Sequence, residues 1–215
     1  MLHITPYLEP AWAYGPVPAA VWRLATAQAV RGWDVSVLTT DAMAPHERLP
    51  VGASIIEGVQ VVRVRNVVGL VTSWLQVSTP VGWQRAARVL LARDPLIVHL
   101  HELRSLEARL IAPLVPKRAS LVASTHGRET RVTEPLAMRV RVQERLLRRG
   151  WSRIDQVIVE SRSERDAVLN VAARNVLRWS EAHVSIATND LTSSGSVLQV
   201  YERLLPRVGT DVRNT

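Results

Sequence analysis

The sequence has no cysteine, a single lysine and no long hydrophobic run, and each shortage excludes a class of protein. Without cysteine, the fold has no disulfide bond, no thiol nucleophile and no thiolate metal ligand. The first residues lack the basic start and apolar stretch of a signal peptide, so we expect no export. Residues 66–84 are the longest segment without a charge, but their polar residues match a spanning helix of ~20 apolar residues poorly. We therefore expect a cytoplasmic protein.

Almost all of the positive charge comes from arginine. The chain has 215 residues and a formal net charge of +8, and Lys117 is its one lysine. Eight arginines and three acidic residues lie between Arg128 and Arg153, so this segment carries most of the excess charge. Two interpretations stay open: a patch for phosphate-bearing partners, or a solvated helix face in a protein with arginine-biased composition.

Strand-like and helix-like segments alternate along the chain. Runs of β-branched residues predict strands near residues 2–5, 34–39, 59–65, 96–100, 120–125 and 156–160. Apolar residues at helical spacing predict helices near 18–31, 82–93, 104–115, 135–150 and 162–173. This alternation is typical of an α/β domain with a doubly wound, mostly parallel, Rossmann-like sheet.

The pattern changes near residue 175. Residues 180–196 are polar and contain turn signals, and a short helix is predicted near 197–205. We therefore assign residues 1–175 to the Rossmann-like domain and residues 176–215 to a linker and a C-terminal helical appendage.

Three of the predicted strands are followed by polar or small residues. The first leads into a loop ending at Gly15 and Pro16, another ends in His101 before Glu102, and a third precedes the pair His126 and Gly127. Because parallel strands end at one edge of the sheet, where such folds bind ligands, we expect a cleft there. The loop is not a Gly-x-Gly-x-x-Gly motif and proline has no N–H, so phosphate binding by this loop is only weakly indicated.

His99 and His101 lie two residues apart on a strand and could share a metal ion. A structural zinc site needs four ligands and a catalytic one three, so we predict no metal site. His126 could contact a ligand in the cleft, or it could only cap a turn. Tyr14 could stack on a ligand, or it could anchor its loop by packing.

Six segments, taken in order, resemble one enzyme family. They are residues 2–15, 24–41, 61–65, 97–101, 124–127 and 154–161. Together they resemble the N-terminal domain of family 4 glycosyltransferases, which are retaining enzymes of GT-B architecture. The resemblance covers residues 1 to about 170 and implies a single GT-B half.

The resemblance implies transfer of a sugar from a nucleotide-sugar to a glycan or lipid-linked acceptor, with no cofactor besides the donor substrate. It implies that His126 is the catalytic residue, donating a hydrogen bond to a sugar hydroxyl or to charge in an oxocarbenium-like transition state. Gly15 matches one of two glycines near the donor phosphates, and Pro16 replaces the other. The residues expected to bind substrate are Tyr14, His101, Glu102, Arg104, Gly127 and Arg128.

The donor signature of such enzymes lies in a second domain, as a basic pair and two glutamates eight residues apart. After residue 170 the glutamates are Glu181 and Glu202, without a lysine or a glycine-rich turn. We therefore expect an acceptor-side half that is nearly inactive alone, because holding donor and acceptor together contributes ~7–11 kcal/mol. It would either work with a donor half on another chain or represent a truncated gene. The alternative is a non-catalytic module, derived from a glycosyltransferase, that binds a glycan, lipid or protein.

Residues 135–151 predict a basic amphipathic helix. Leu136, Val140, Leu147 and Trp151 recur at helical spacing beside several arginines. Such a helix could hold the protein at the anionic inner face of a membrane, or its apolar face could pack in the core. Nucleic-acid binding is not expected, because no recognised module accompanies the charge.

Overall fold

In a computed structural model, which describes residues 1–67, 78–127, 129, 137–187 and 197–205, the chain forms an eight-stranded sheet between two layers of helices. The strands are β1 (Leu2–Ile4), β2 (Ser36–Thr40), β3 (Ala42–Ala44), β4 (Glu47–Arg48), β5 (Gly52–Ile56), β6 (Val59–Val64), β7 (Ile97–His101), β8 (Ser120–Ser124), β9 (Gln156–Val159) and β10 (Val184–Ile186). The helices are α1 (Val17–Val30), α2 (Trp83–Leu91), α3 (Leu106–Ile111), α4 (Ala137–Trp151), α5 (Arg162–Asn175) and α6 (Val197–Leu204).

The strand order of the large sheet is β10-β9-β8-β7-β1-β2-β6-β5. Each neighbouring pair is parallel except β5 and β6, while β3 and β4 form a separate antiparallel pair. The chain runs outward from β1 through β2 to β6, then returns to β7 on the other side of β1. The predicted doubly wound, mostly parallel α/β fold is confirmed, and its order reverses between β1 and β7.

Residues of the central strands alternate between two buried faces. Leu2, Ile4, Val98 and Leu100 belong to a core with side chains from α2, α3, α4 and α5. On the opposite face, neighbouring strand residues such as Ile97 pack with α1 and α6. Burial on both faces explains why these strands have almost continuous apolar sequences.

All six predicted strands are present, but the sequence did not predict the edge strands β5 and β10. β5 is exposed along its whole length, so it has no buried-exposed alternation to detect. It joins β6 through a tight turn in which Glu57 and Gly58 both have positive φ. β10 has only three residues and lies in the segment predicted to be a linker.

The segment after residue 175 contributes to the same sheet and core. β10 pairs in parallel with β9, and α6 buries Val197, Leu198, Val200 and Tyr201. The boundary at residue 175 stays a prediction, and the turn signals within residues 188–196 lie outside the described residues.

Helix α4 packs its apolar side into the core. Val140, Leu147 and Trp151 are buried, which supports the core-facing interpretation of this amphipathic segment. Arg141, Arg145, Arg148 and Arg149 are exposed, whereas Leu136 lies outside the described residues. Among the described helices, none has the length and hydropathy needed to cross a membrane.

We predict that α6 is needed for the stability of the domain. Tyr201 is fully buried, so Tyr201→Ala should lower the free energy of unfolding by about 3–5 kcal/mol. The adjacent exposed Glu202 offers a matched control, and Glu202→Ala should change it by less than ~0.5 kcal/mol. Urea unfolding followed by circular dichroism measures both values, and equal effects of the two variants would contradict the docking of α6.

Candidate functional site

The candidate site lies where β1, β7, β8 and β9 end. Their carboxyl ends meet at one edge because these strands are parallel, and ligands of such folds bind beside the point where the strand order reverses. Glu102 follows β7, His126 follows β8 and Glu160 follows β9. Glu102 and His126 are predicted site residues, whereas Glu160 is not, although the same criterion of a polar residue after a strand could have found it.

Two of these strand-end residues have an unusual backbone conformation. φ is +77° at Glu102 and +49° at His126, in the left-handed region that residues with a side chain rarely adopt. Such conformations cost of order 1–3 kcal/mol each and cluster at functional sites, where the surrounding structure enforces them. They therefore support this edge as the site, and no sequence pattern indicated them.

The His126 side chain is held between two protein groups. Its Nε2 lies 3.1 Å from Nδ1 of His101, and its Nδ1 lies 3.6 Å from Oε1 of Glu160. The two imidazole rings are nearly parallel, with centroids 5.4 Å apart. Only 4% of the His126 side chain is exposed, against 45% for Glu160, so the carboxylate is the more accessible group of this pair.

Local hydrogen bonds fix Glu160 at the start of α5. The backbone N–H of Glu160 donates to the carboxylate of Glu164 over 2.9 Å, and the N–H of Glu164 donates to the Ser161 hydroxyl over 3.1 Å. Gly127 lies close by, because a Cβ atom at this position would be 3.7 Å from Oε2 of Glu160. The ends of β8 and β9 are thus brought together beside His126.

His101 connects His126 to a chain of buried side chains. Nε2 of His101 lies 2.9 Å from Nδ1 of His3 on β1, and Nε2 of His3 lies 2.6 Å from Oε1 of Gln28 on α1. We call these four residues, Gln28, His3, His101 and His126, the histidine chain. No sequence pattern indicated His3 as a site residue, because only the pairing of β1 with β7 places it opposite His99.

His99 forms a branch beside this chain. Its ring centroid lies 3.9 Å from that of His101. Its Nε2 lies 2.7 Å from the Ser124 hydroxyl, and its Nδ1 is hydrogen-bonded to the hydroxyl of Tyr201 on α6. The C-terminal helix is thus bonded to the histidine cluster.

The three sheet histidines are neutral near pH 7. Burial lowers the pKa of His3 to about 4, and it lowers the pKa of His99 and His101 well below the usual value. Neighbouring histidines lower the pKa of His99 and His101 further, because each would repel a second positive charge. Burial also raises the pKa of Tyr201 well above its usual value, so its hydroxyl stays protonated.

These histidines also form a group that could hold a metal ion. One ring nitrogen from each of His3, His99 and His101 lies within 4.8 Å of the others, and neutral imidazole is a common ligand of zinc and copper. Every one of these ring nitrogens, however, already has a side-chain hydrogen-bond partner. A metal ion would have to displace those bonds, and the absence of a metal site stays a prediction.

Arg104, expected to bind substrate, makes ion pairs inside the protein. Its Nε and Nη2 donate to both carboxylate oxygens of Glu129 over 2.8–3.1 Å, and Nη2 also donates to Glu144 over 3.2 Å. The guanidinium lies 5.6 Å from the ring centroid of Trp151, and the side chain is 12% exposed. These contacts favour a structural role, while Arg128 lies outside the described residues.

Glu144 links this cluster to α5. Burial raises its pKa, but hydrogen bonds from Asn175 and Arg174, together with the charge of Arg104, outweigh that effect and hold the pKa below its usual value. The carboxylate is therefore charged, and its bonds to Arg174 and Asn175 connect α4 to α5.

The loop after β1 uses Gly15 for a turn. φ is +91° at Gly15, a conformation that glycine adopts readily, and its N–H donates to the Trp12 carbonyl over 3.1 Å. Tyr14 stacks face to face on Tyr7, with centroids 3.7 Å apart. Because the Gly15 N–H is already bonded, this glycine would serve a phosphate by allowing close approach rather than by donating.

A cavity of about 300 Å³ lies at the opposite edge of the sheet. Leu2, Ser36 and Ile97, at the starts of β1, β2 and β7, line it with Leu205. It is therefore remote from His126 and Glu160, and it contributes nothing to the candidate site.

One family of enzymes matches most of the sequence. Its model, described as Glycosyltransferase Family 4, covers residues 17–178. A solved structure titled "OtsA apo structure" is similar with a TM-score of 0.47 and 11% sequence identity, over 80% of this chain and 43% of that chain. This chain thus spans less than half the length of that structure. No curated protein matches the sequence.

We predict that stability falls as the pH drops from 6.5 towards 4. The unfolded chain binds protons on His3, His99 and His101 in this range, whereas burial keeps the folded residues neutral. Each histidine adds a slope of up to about 1.4 kcal/mol per pH unit. Urea unfolding between pH 5 and 7 should show a smaller slope for His3→Gln, and the wild-type slope for the exposed His46→Gln. Stability independent of pH would contradict this.

Arg104→Gln should lower the free energy of unfolding by about 3 kcal/mol, because the buried carboxylates of Glu129 and Glu144 would lose their shared cation. Arg141→Gln, an exposed change on α4, is the control and should have little effect. Thermal or urea unfolding tests both. An Arg104 variant as stable as wild type would instead favour a role in substrate binding.

Proposed function

The chain belongs to glycosyltransferase family 4, and on this premise we propose that it supplies the acceptor-side half of a cleft for sugar transfer. The donor of such a reaction is a nucleotide-sugar, and its acceptor is a glycan or a lipid-linked molecule. We expect no cofactor beyond the donor, and no part for nucleic acid.

The arrangement of His126 carries this proposal. It follows a central parallel strand in a left-handed conformation, and its ring lies between His101 and Glu160 at the edge where such folds bind ligands. We propose that His126 contacts the reacting sugar and that Glu160 accepts hydrogen bonds from sugar hydroxyls. Glu102, Gly127 and Tyr14 then line the acceptor side.

The donor-binding half is proposed to lie outside these 215 residues. Two features support this: the glutamate pattern for a donor is missing after residue 170, and β10 and α6 return to the first sheet. Holding donor and acceptor together contributes ~7–11 kcal/mol to such a reaction, so the chain alone should be almost inactive.

A non-catalytic module that binds an anionic surface is the second candidate. The exposed side of α4 carries Arg141, Arg145, Arg148 and Arg149, beside Met138, which is 77% exposed. Basic residues near an anionic lipid surface contribute about 1 kcal/mol each. In this second candidate function, the protein lies in the cytoplasm, peripheral to the inner face of the membrane.

A transfer assay with labelled nucleotide-sugars and glycan or lipid-linked acceptors tests the first candidate. We expect no transfer by the chain alone, and transfer after addition of a separate donor domain of the same family. His126→Ala should lower that transfer by about 10²-fold or more, whereas the exposed His46→Ala should not.

Transfer by the chain alone would overturn the proposed division of the cleft. Equal activity of the two histidine variants would remove His126 from the site. Absence of transfer under every condition, with binding to anionic but not neutral vesicles, would favour the second candidate.

A further inference from the structure

The hydrogen bonds of the histidine chain all run in one direction, from donor to acceptor, and the Gln28 end of the chain determines that direction. A neutral imidazole has one N–H and one lone pair, so each ring in a row donates on one side and accepts on the other. The Gln28 Oε1 atom can only accept, and it lies 2.6 Å from Nε2 of His3. The His3 Nε2 therefore carries the hydrogen, and its Nδ1 accepts.

This direction passes along the chain to His126. Because His3 Nδ1 accepts, His101 donates to it from Nε2, and His101 Nδ1 must accept in turn. The donor to His101 is then Nε2–H of His126, over 3.1 Å. Nε2–H of His126 thus donates into the protein interior, and Nδ1 is the nitrogen beside Glu160.

We propose that Gln28, His3 and His101 are positioning residues that fix His126 in its Nε2–H tautomer. Nδ1 of His126 then has no hydrogen, so it accepts a hydrogen bond from a sugar hydroxyl instead of donating the one that the family resemblance implies. This inference rests on the proposed function, in which His126 contacts the reacting sugar. His3 and His101 suit the task because they are fully buried and neutral near pH 7.

Glu160 opposes this order. A carboxylate accepts hydrogen bonds, so Glu160 by itself favours a hydrogen on Nδ1 of His126. Gln28 and Glu160 therefore select opposite tautomers from the two ends of the chain. Loss of the acceptor on Gln28 should therefore shift His126 towards the Nδ1–H tautomer that Glu160 favours.

The position of Gln28 is consistent with such a task. It is fully buried on the face of α1 that also buries Val21, Leu24 and Ala25, where an apolar residue would be the usual occupant. Its amide nitrogen has no partner among the described residues, so burying this side chain costs free energy that an apolar residue would not.

NMR of the full chain with ¹⁵N-labelled histidine tests the proposal. Long-range ¹H–¹⁵N spectra report the tautomer of each ring, and His126→Ala assigns the His126 signals. At pH 7.5 we expect mainly the Nε2–H tautomer of His126 in the wild type. Gln28→Met, which keeps the volume but removes the acceptor, should lower the ratio of Nε2–H to Nδ1–H by about fivefold, the effect of one ordinary hydrogen bond.

Ser124→Ala is the matched control. It removes the hydroxyl partner of His99 but no member of the histidine chain, so it should lower stability without changing the His126 tautomer. An Nδ1–H tautomer in the wild type, or an unchanged ratio in Gln28→Met, would overturn the proposal. The wild-type spectrum decides the matter even if the Gln28 variant does not fold.

Two further measurements separate this inference from its rivals. One equivalent of zinc chloride should leave the signals of His3, His99 and His101 unchanged, and their displacement would indicate a metal site instead. In the transfer assay with a donor domain, Gln28→Met should lower kcat by up to about threefold, in step with the loss of the Nε2–H tautomer, and Ser124→Ala should not lower it. If no transfer occurs at all, the proposed function fails. The spectra still decide whether the histidine chain fixes the tautomer of His126.

Discussion

The parallel pairing of β1 with β7 is the constraint on which the site depends. Its register places His3 opposite His99, and the alternation of side chains then puts His3, His99 and His101 on one face of the sheet. A shift by one residue would turn Leu2 and Ile4 towards this face and the histidine towards the larger core. The same pairing is where the strand order reverses, so the register and the position of the candidate site have a common origin.

Polar groups inside this sheet require partners. A buried imidazole without hydrogen bonds is costly, and each sheet histidine meets that requirement with side chains from different elements. Gln28 comes from α1, Ser124 from β8 and Tyr201 from α6. The observed arrangement of strands and helices satisfies all of these contacts at once, so the network favours this packing and also connects the C-terminal helix to the candidate site.

A second polar cluster, centred on Arg104, connects the elements beside the candidate site. Arg104 follows the end of β7, and its bonds to Glu129 and Glu144 connect this strand end to the segment after β8 and to α4. Arg174 and Asn175 extend the cluster to α5. Arg104 was expected to contact substrate, but its guanidinium is paired with these internal carboxylates, because a buried charge needs opposite charge nearby.

The sequence by itself determined the fold class, the six central strands and the sheet edge that carries the candidate site. Those features follow from local composition: β-branched runs such as residues 97–101 form strands, and polar residues after them mark strand ends. Edge strand β5 escaped prediction because a strand exposed on both faces has no alternation. Only the tertiary structure decided that His3 meets His101, that Glu160 lies beside His126 and that Tyr201 reaches His99. These contacts join residues up to 102 positions apart in the chain, and strand register and helix docking create them.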